Sequence, residues 1–129
     1  MLRTHIFAAA LIAGVLAPAW TNAAAASSPP VKIDGGMLVG TSGMTLYTFD
    51  KDTAGSGKSA CNGPCADIWP PLKAGATDRV EGDYSVVTRD DGSKQWAYKG
   101  QPLYFWTKDA KPGDTSGDGV KGVWHVAKP

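Results

Sequence analysis

The chain has 129 residues, of which 43% are hydrophobic, and its 13 basic side chains nearly balance 12 acidic ones. That length suits one domain with a modest core. Because the formal net charge is only +1 and the lysines are scattered, electrostatics gives the chain no reason to bind nucleic acid or an anionic membrane surface.

Residues 1–25 are predicted to be a secretory signal peptide. A short basic start is followed by an apolar run from Ile6 to Leu16, which is shorter than the roughly 20 residues of a membrane-spanning helix. Small residues then offer cleavage sites near Ala24 to Ala26. A mature protein that is periplasmic or secreted is therefore expected, with no net charge because Arg3 leaves with the leader. The alternative, a buried N-terminal helix, is disfavoured by these cleavage sites.

Residues 26–30 are rich in Ala, Ser and Pro and are predicted to be a disordered linker. Residues 31–129 are predicted to form a single all-β domain, a small sandwich or barrel, because short apolar runs alternate there with turn residues. The candidate strands are Met37–Thr41, Thr45–Phe49, Tyr84–Arg89, Lys94–Tyr98, Pro102–Thr107 and Gly122–Val126.

Glycine and proline mark the ends of these elements. Tight hairpin turns are expected at Ser42-Gly43 and Lys99-Gly100, since glycine tolerates a positive φ. One short helix is expected over Cys65–Trp69, with Pro64 at its first position and Pro70-Pro71 ending it.

An internal repeat is the strongest signal within the domain. A shift of 57 residues superimposes Asp34-Gly35 on Asp91-Gly92, Gly43 on Gly100, Leu46-Tyr47 on Leu103-Tyr104 and Asp52 on Asp109. This pattern predicts two related hairpin units, over about residues 31–72 and 88–129. Because an isolated hairpin is marginal in water, the two units are expected to pack around one core.

Each unit carries two alternating aromatic residues followed by an aspartate. These are Tyr47, Phe49 and Asp52 in the first unit and Tyr104, Trp106 and Asp109 in the second. In one interpretation the aromatics are core contacts and the aspartates bind backbone N–H groups of the following loop. In the other, the aromatics line an exposed face on which a ligand stacks. The first is favoured, since a feature that repeats with the folding unit usually encodes the fold.

The tandem Tyr-x4-Asp motifs resemble those of a secreted repeat family of unknown function, which includes predicted bacterial lipoproteins with a Y-x-(F/W/Y)-x-x-D motif. Further segments that match are Cys61–Leu72, Gln95–Tyr104 and Gly122–Val126. The resemblance implies an envelope or secreted location and carries no established reaction or ligand. Many members are lipidated, but no cysteine lies near the cleavage region here, so no lipid anchor is expected.

Cys61 and Cys65 are predicted to form a disulfide, because an even pair in an exported chain is typical of one. A regular helix would hold the two Cβ atoms too far apart, but Gly63-Pro64 interrupts the helix between them. The alternative is a redox-active pair, in which Cys65 near a short helix start has a reactive thiolate.

Other chemistry has weaker support in the sequence. His125 is the one histidine of the mature chain and lacks a second histidine for a metal site. Asp109, Asp114 and Asp118 could converge on calcium, although nearby lysines oppose a cation and a solvated loop is favoured. No nucleophile or phosphate-loop motif is present, so no catalytic residue, cofactor or metal is assigned.

The sequence therefore predicts a non-catalytic exported module with a binding or structural role, and the expected partner is an envelope protein or a small ligand. The domain is expected to be monomeric. A redox-active protein and a calcium-binding module remain the alternatives. The candidate ligand face consists of Tyr47, Trp69, Trp96, Tyr104, Trp106 and Trp124.

Overall fold

The computed structural model describes residues 28–129 together with Gly14, so the predicted signal peptide, apart from that glycine, and the start of the predicted linker lie outside the described residues. The described part of the chain contains, in order, β1 (Val31–Asp34), β2 (Met37–Gly40), β3 (Tyr47–Phe49), α1 (Pro64–Ile68), β4 (Lys73–Ala74), β5 (Tyr84–Thr88), β6 (Lys94–Tyr98), β7 (Gln101–Pro102), a 3₁₀ turn (Val120–Gly122) and β8 (Trp124–Val126).

Two tight turns of the same kind connect antiparallel neighbours. β1 and β2 pair through a turn in which Gly35 and Gly36 both have positive φ. β6 and β7 pair in the same way around Lys99 and Gly100, with φ values of 49° and 82°. Two positive φ values in succession are the geometry of the hairpin turn that matches strand twist, so the predicted Lys99-Gly100 turn forms.

The two repeats are interleaved rather than stacked side by side. β3 of the first repeat pairs with β8 at the end of the second, so that Tyr47 faces Val126. Pro71, at the end of the first repeat, faces Tyr104 of the second. Each repeat therefore supplies a closing segment to the other.

Tyr47 and Tyr104 meet at the centre of this arrangement. The Tyr47 N–H donates to the Tyr104 carbonyl at 2.8 Å, and the Tyr104 N–H donates to the Tyr47 carbonyl at 3.0 Å. This pair of bonds is symmetric with respect to the two repeats, so a local pseudo-twofold axis passes between the two tyrosines. It fixes the register of one repeat on the other.

Two groups of side chains form the core on either side of these strands. We call the first the aromatic cluster; its buried members are Tyr47, Cys61, Trp69, Tyr104, Trp106, Trp124 and Val126. We call the second the Leu-rich cluster; its buried members are Leu38, Leu46, Leu72, Trp96, Leu103 and Ala127. Residues of both repeats occur in each cluster, so neither repeat has a core of its own.

The prediction of a small all-β domain built from two repeats, with one short helix, is confirmed. The strands form small antiparallel sheets rather than two large layers. Two elements were not predicted, namely β1, which is mostly exposed, and the two-residue β4. Pro102–Thr107 was predicted as one strand, but β7 ends at Pro102 and only Tyr104 continues the pairing, through bridges to Tyr47 and Pro71. Among the described residues, no helix has the length and hydropathy to cross a bilayer.

Candidate functional site

The tyrosine of each repeat binds the aspartate of the other repeat. The Tyr47 hydroxyl donates to Asp109 Oδ2 at 2.7 Å, and the Tyr104 hydroxyl donates to Asp52 Oδ2 at 2.6 Å. Both tyrosine side chains are completely buried. The motif is therefore completed between the two copies and not within either copy.

The second oxygen of each aspartate binds the loop that follows it, at a residue eight positions after Asp52 and seven positions after Asp109. Asp52 Oδ1 accepts a hydrogen bond from the Ala60 N–H at 2.6 Å. Asp109 Oδ1 accepts from both the N–H and the hydroxyl of Ser116, at 3.0 and 2.6 Å. These are the backbone bonds that the first interpretation of the motif assigns to the aspartates.

Burial changes the acid–base properties of these pairs. Burial raises the pKa of Tyr47 and of Tyr104, and the hydrogen bond to a carboxylate raises each of them further. Burial also raises the pKa of Asp52, although the bonds from Tyr104 and Ala60 oppose this shift. At neutral pH both phenols therefore keep their protons and act as hydrogen-bond donors.

Buried Arg89 supports the Tyr104–Asp52 pair, a role that the sequence did not indicate. Arg89 is 5% exposed, and its guanidinium donates to Gln95 Oε1 at 2.6 Å, to Ser59 Oγ at 3.0 Å and to the carbonyl oxygen of Cys61. The Ser59 hydroxyl lies 2.6 Å from the Tyr104 hydroxyl. Arg89 at the end of a strand looks like an ordinary surface residue in the sequence, and only the fold turns it inward.

Stacked rings run through the aromatic cluster. Ring centroids lie 3.9 Å apart between Trp106 and Trp69, 3.8 Å between Trp69 and Trp124, and 4.2 Å between Trp124 and Phe49. We call these four rings the aromatic stack. Tyr47 meets Trp69 edge-on at 5.4 Å, and Tyr104 meets Trp124 edge-on at 5.1 Å.

The proposed ligand face does not form, because its aromatic side chains are in the core. No member is more than 9% exposed, and the members are Tyr47, Trp69, Trp96, Tyr104, Trp106 and Trp124. Trp96 lies in the Leu-rich cluster, apart from the other five. The interpretation that a ligand stacks on these rings is therefore wrong, because the rings pack within the core.

Cys61 and Cys65 are joined by a disulfide, with their Cα atoms 5.2 Å apart. Pro64 begins α1 between them, after Gly63 has taken a φ of 59°. Cys61 is completely buried, and its carbonyl binds Arg89. The bridge therefore shapes the loop that holds the buried cation.

An open groove of about 700 Å³ lies beside this disulfide loop. Pro70 and Pro71 are among the residues that line it. The polar side chains that line it are Asn62, Asp67, Lys73, Arg89, Asp90, Asp91 and Ser93. The groove thus combines apolar surface with side chains of both charges, and we call it the disulfide-loop groove.

The loop once considered for calcium uses its carboxylates for other bonds. Asp109 binds Tyr47 and Ser116, Asp114 accepts from the N–H groups of Ala110 and Lys111, and Asp118 accepts from the Val126 N–H. Within residues 28–129, no group of three or more His, Cys, Asp or Glu side chains is arranged to hold a metal ion. His125 instead pairs with Asp50 at the surface, at 2.8 Å.

Comparison with known proteins identifies both repeats. The model of one protein family, described as a secreted repeat of unknown function, matches residues 31–73 and again residues 85–128. No curated protein matches the chain. No solved structure matches it either.

Proposed function

The chain belongs to the family of secreted repeats of unknown function, and we propose that it is an exported, non-catalytic module that binds a partner through the disulfide-loop groove. The observation that carries the proposal is the reciprocal tyrosine–aspartate pairing. It binds the buried hydroxyls of both motifs to the carboxylates of buried Asp109 and half-buried Asp52, so these groups satisfy each other. The motifs then build the scaffold, and recognition falls to the surface.

The disulfide-loop groove has the features of a recognition surface on a rigid support. Its rim is anchored by the Cys61–Cys65 bridge, and buried Arg89 fixes the loop from inside. Asp67 and Lys73 stand exposed along it. Polar and charged side chains that line a concave surface together with apolar residues are typical of a site that orients a ligand.

Site-specific photocrosslinking in living cells tests the binding role. A photoreactive residue at position 73 lies in the groove, whereas one at position 32 is also exposed but lies on β1, outside the groove lining. A discrete adduct from position 73 and none from position 32 is expected. Equal adducts from both positions, or none from position 73, would contradict the proposal.

A charge reversal in the groove sharpens this test. Asp67 is exposed, so Asp67→Lys is expected to leave the denaturation midpoint within experimental scatter while the adduct from position 73 is lost. The matched control is Asp34→Lys on β1, another exposed aspartate, which is expected to keep the adduct. Persistence of the adduct in Asp67→Lys would place recognition elsewhere.

We also propose that residues 1–25 are removed on export to the periplasm or the medium. Mass spectrometry of the protein from cell fractions is expected to find a first residue near Ala24 to Ala26. A cytoplasmic protein that retains the leader would contradict this part of the proposal.

A further inference from the structure

We propose that the aromatic cluster traps one-electron oxidants: an oxidising equivalent received at Trp106 passes along the aromatic stack and is fixed on Tyr47 or Tyr104 as a neutral tyrosyl radical. This activity goes beyond the binding role and does not depend on it. The substrate class is a small radical or other one-electron oxidant in the compartment outside the cytoplasm.

The stack provides a continuous path for an electron. Trp106, Trp69 and Trp124 follow one another with centroids under 4 Å apart, at 3.9 and 3.8 Å, and the planes of Trp69 and Trp124 differ by only 4°. Such contact brings the π-systems of the three indoles into overlap. An electron missing from Trp106 can therefore be replaced from Trp69 and then from Trp124.

The surroundings of Trp106 favour movement of the missing-electron site, the hole, from Trp106 toward the interior. Trp106 is the most exposed of the three indoles, at 9%, and the Lys108 ammonium lies 5.6 Å from its ring centroid. A cation at that distance disfavours a positive hole on Trp106. The Trp106 indole N–H is buried without a hydrogen-bond partner, so no neighbouring base takes its proton and the hole stays mobile.

The tyrosine–aspartate pairs supply the place where the hole stops. Tyr47 touches Trp69 and Tyr104 touches Trp124, each edge-on. An oxidised phenol must release its proton to become a stable neutral radical. Asp109 and Asp52 lie 2.7 and 2.6 Å from the two hydroxyls and are in position to accept it.

The electrons and protons of this step balance. The oxidant gains one electron from an indole, the indole regains one from the phenol, and the phenolic proton moves to the carboxylate oxygen. The products are the reduced oxidant, a neutral tyrosyl radical and a neutral carboxylic acid. At the Tyr47 pair, loss of the negative charge on buried Asp109 favours these products, because a low-dielectric core penalises an ion.

The chain contains a matched control for this chemistry. Tyr84 and Tyr98 contact each other at a centroid distance of 5.0 Å, but they pack against the Leu-rich cluster, outside the aromatic stack. A photo-oxidant fixed near Trp106 should therefore oxidise Tyr47 and Tyr104 and leave this second pair unchanged.

A ruthenium polypyridyl photo-oxidant attached to the full mature protein at Thr107→Cys tests the proposal, because position 107 is exposed beside Trp106, Lys108 is kept and the two native cysteines are bonded to each other. After a laser flash with an electron-accepting quencher, transient absorption and electron paramagnetic resonance are expected to show a tyrosyl radical. The signal should persist in Tyr84→Phe/Tyr98→Phe. It should be lost in Tyr47→Phe/Tyr104→Phe and in Trp69→Phe, which interrupts the path.

Absence of a tyrosyl signal, its survival in Tyr47→Phe/Tyr104→Phe or its loss in Tyr84→Phe/Tyr98→Phe would overturn the proposal. If a core variant fails to fold, the rate of radical formation in the protein with an unaltered core is compared between light and heavy water. Transfer of the phenolic proton then slows radical formation, and equal rates in light and heavy water would overturn the proposal. Neither result bears on binding in the groove.

Discussion

The two tyrosine–aspartate pairs make the same bond, yet the chain supports them in different ways. At the Tyr104 end, Arg89 and the disulfide loop hold Ser59 against the phenol. At the Tyr47 end, Ser116 binds the aspartate and the Gly117 N–H donates to the Tyr47 hydroxyl at 3.2 Å. The comparison teaches that the repeat encodes the pair itself, whereas each loop has its own way to brace it.

Removal of Arg89 is expected to give the largest loss. Arg89→Met removes a donor from buried oxygens of Ser59, Cys61 and Gln95 and leaves Gln95 Oε1 unsatisfied, which should lower the free energy of unfolding by about 3 kcal/mol. Chemical denaturation measures the loss. Arg79→Met is the control, because Arg79 is exposed and its replacement should cost under about 0.5 kcal/mol. Equal effects of the two substitutions would show that Arg89 is not a brace.

Gly117→Ala is expected to disturb the Tyr47–Asp109 pair, as Arg89→Met disturbs the Tyr104–Asp52 pair. A Cβ at this position would lie 2.9 Å from ring atoms of both Tyr47 and Trp69, so the rings must shift. Overpacking of this kind should cost about 2 kcal/mol. Gly75→Ala is the control, since its Cβ would meet Asp78 at an ordinary 3.4 Å. If Gly117→Ala is as stable as the control, the backbone at position 117 is free to move off the rings.

Loss of the disulfide should affect the surroundings of the Tyr104–Asp52 pair and leave those of the Tyr47–Asp109 pair unchanged. Cys61→Ser/Cys65→Ser is expected to cost about 2 kcal/mol, because the closed loop is short. Hydrogen exchange should show faster exchange at the Ala60 N–H, which binds Asp52, and little change at the Ser116 N–H, which binds Asp109. Equal acceleration at both amides would mean that the two ends are one cooperative unit.

The reduction potential of the Cys61–Cys65 disulfide distinguishes a structural bridge from a redox-active cysteine pair. A reduction potential well below about −300 mV is expected for a structural disulfide. A markedly higher potential would instead favour a redox-active cysteine pair.

Removal of a single hydroxyl tests whether the two pairs are equivalent. Tyr47→Phe and Tyr104→Phe each leave a carboxylate without one donor, and each should cost about 1.5 kcal/mol. Tyr98→Phe, outside these pairs, is the control. Thermal denaturation of the three variants measures the losses. Unequal losses at positions 47 and 104 would show that Arg89 and the disulfide loop strengthen one pair more than the other.

The smallest effect is a pH dependence at the Tyr104 end. Burial raises the pKa of Asp52 in the folded chain above its ordinary value of 3.8. At a pH between the ordinary pKa and the raised folded-state pKa, the folded chain holds a proton that the unfolded chain has released. The contribution of Asp52 to stability is then present at low pH and is lost as the pH rises through the folded-state pKa.

Asp52→Asn removes that contribution. Its free energy of unfolding should therefore rise more steeply with pH than that of the unaltered protein, in the interval that begins at the ordinary aspartate pKa of 3.8 and extends upward. Denaturation curves over that interval measure both slopes. Parallel slopes would show that Asp52 titrates alike in the folded and unfolded chains.

Local structure was predictable from residues whose conformations are restricted. Pro64 and Pro70 bound the short helix, and glycine at position 100 indicated its hairpin turn. Strands β1 and β4 were missed because β1 is largely exposed and β4 has only two residues, so neither shows an alternating apolar pattern.

The partners of the motif residues were not predictable. The repeat showed that Tyr47 and Asp52 belong together in sequence, yet the fold pairs Tyr47 with Asp109. Alternation along β3 placed Tyr47 and Phe49 on one side, but it could not tell whether that side faces water or the other repeat. Those facts depend on how the two copies cross, which no short stretch of sequence specifies.

The crossing of the repeats also bears on how such a protein can be divided. A chain cut within residues 75–83 would yield two pieces, each holding one phenol and one carboxylate that have no mate in the same piece. Two copies are thus the smallest set in which every donor meets its acceptor. A gene that loses one copy keeps the full motif in its code and loses both bonds in its product.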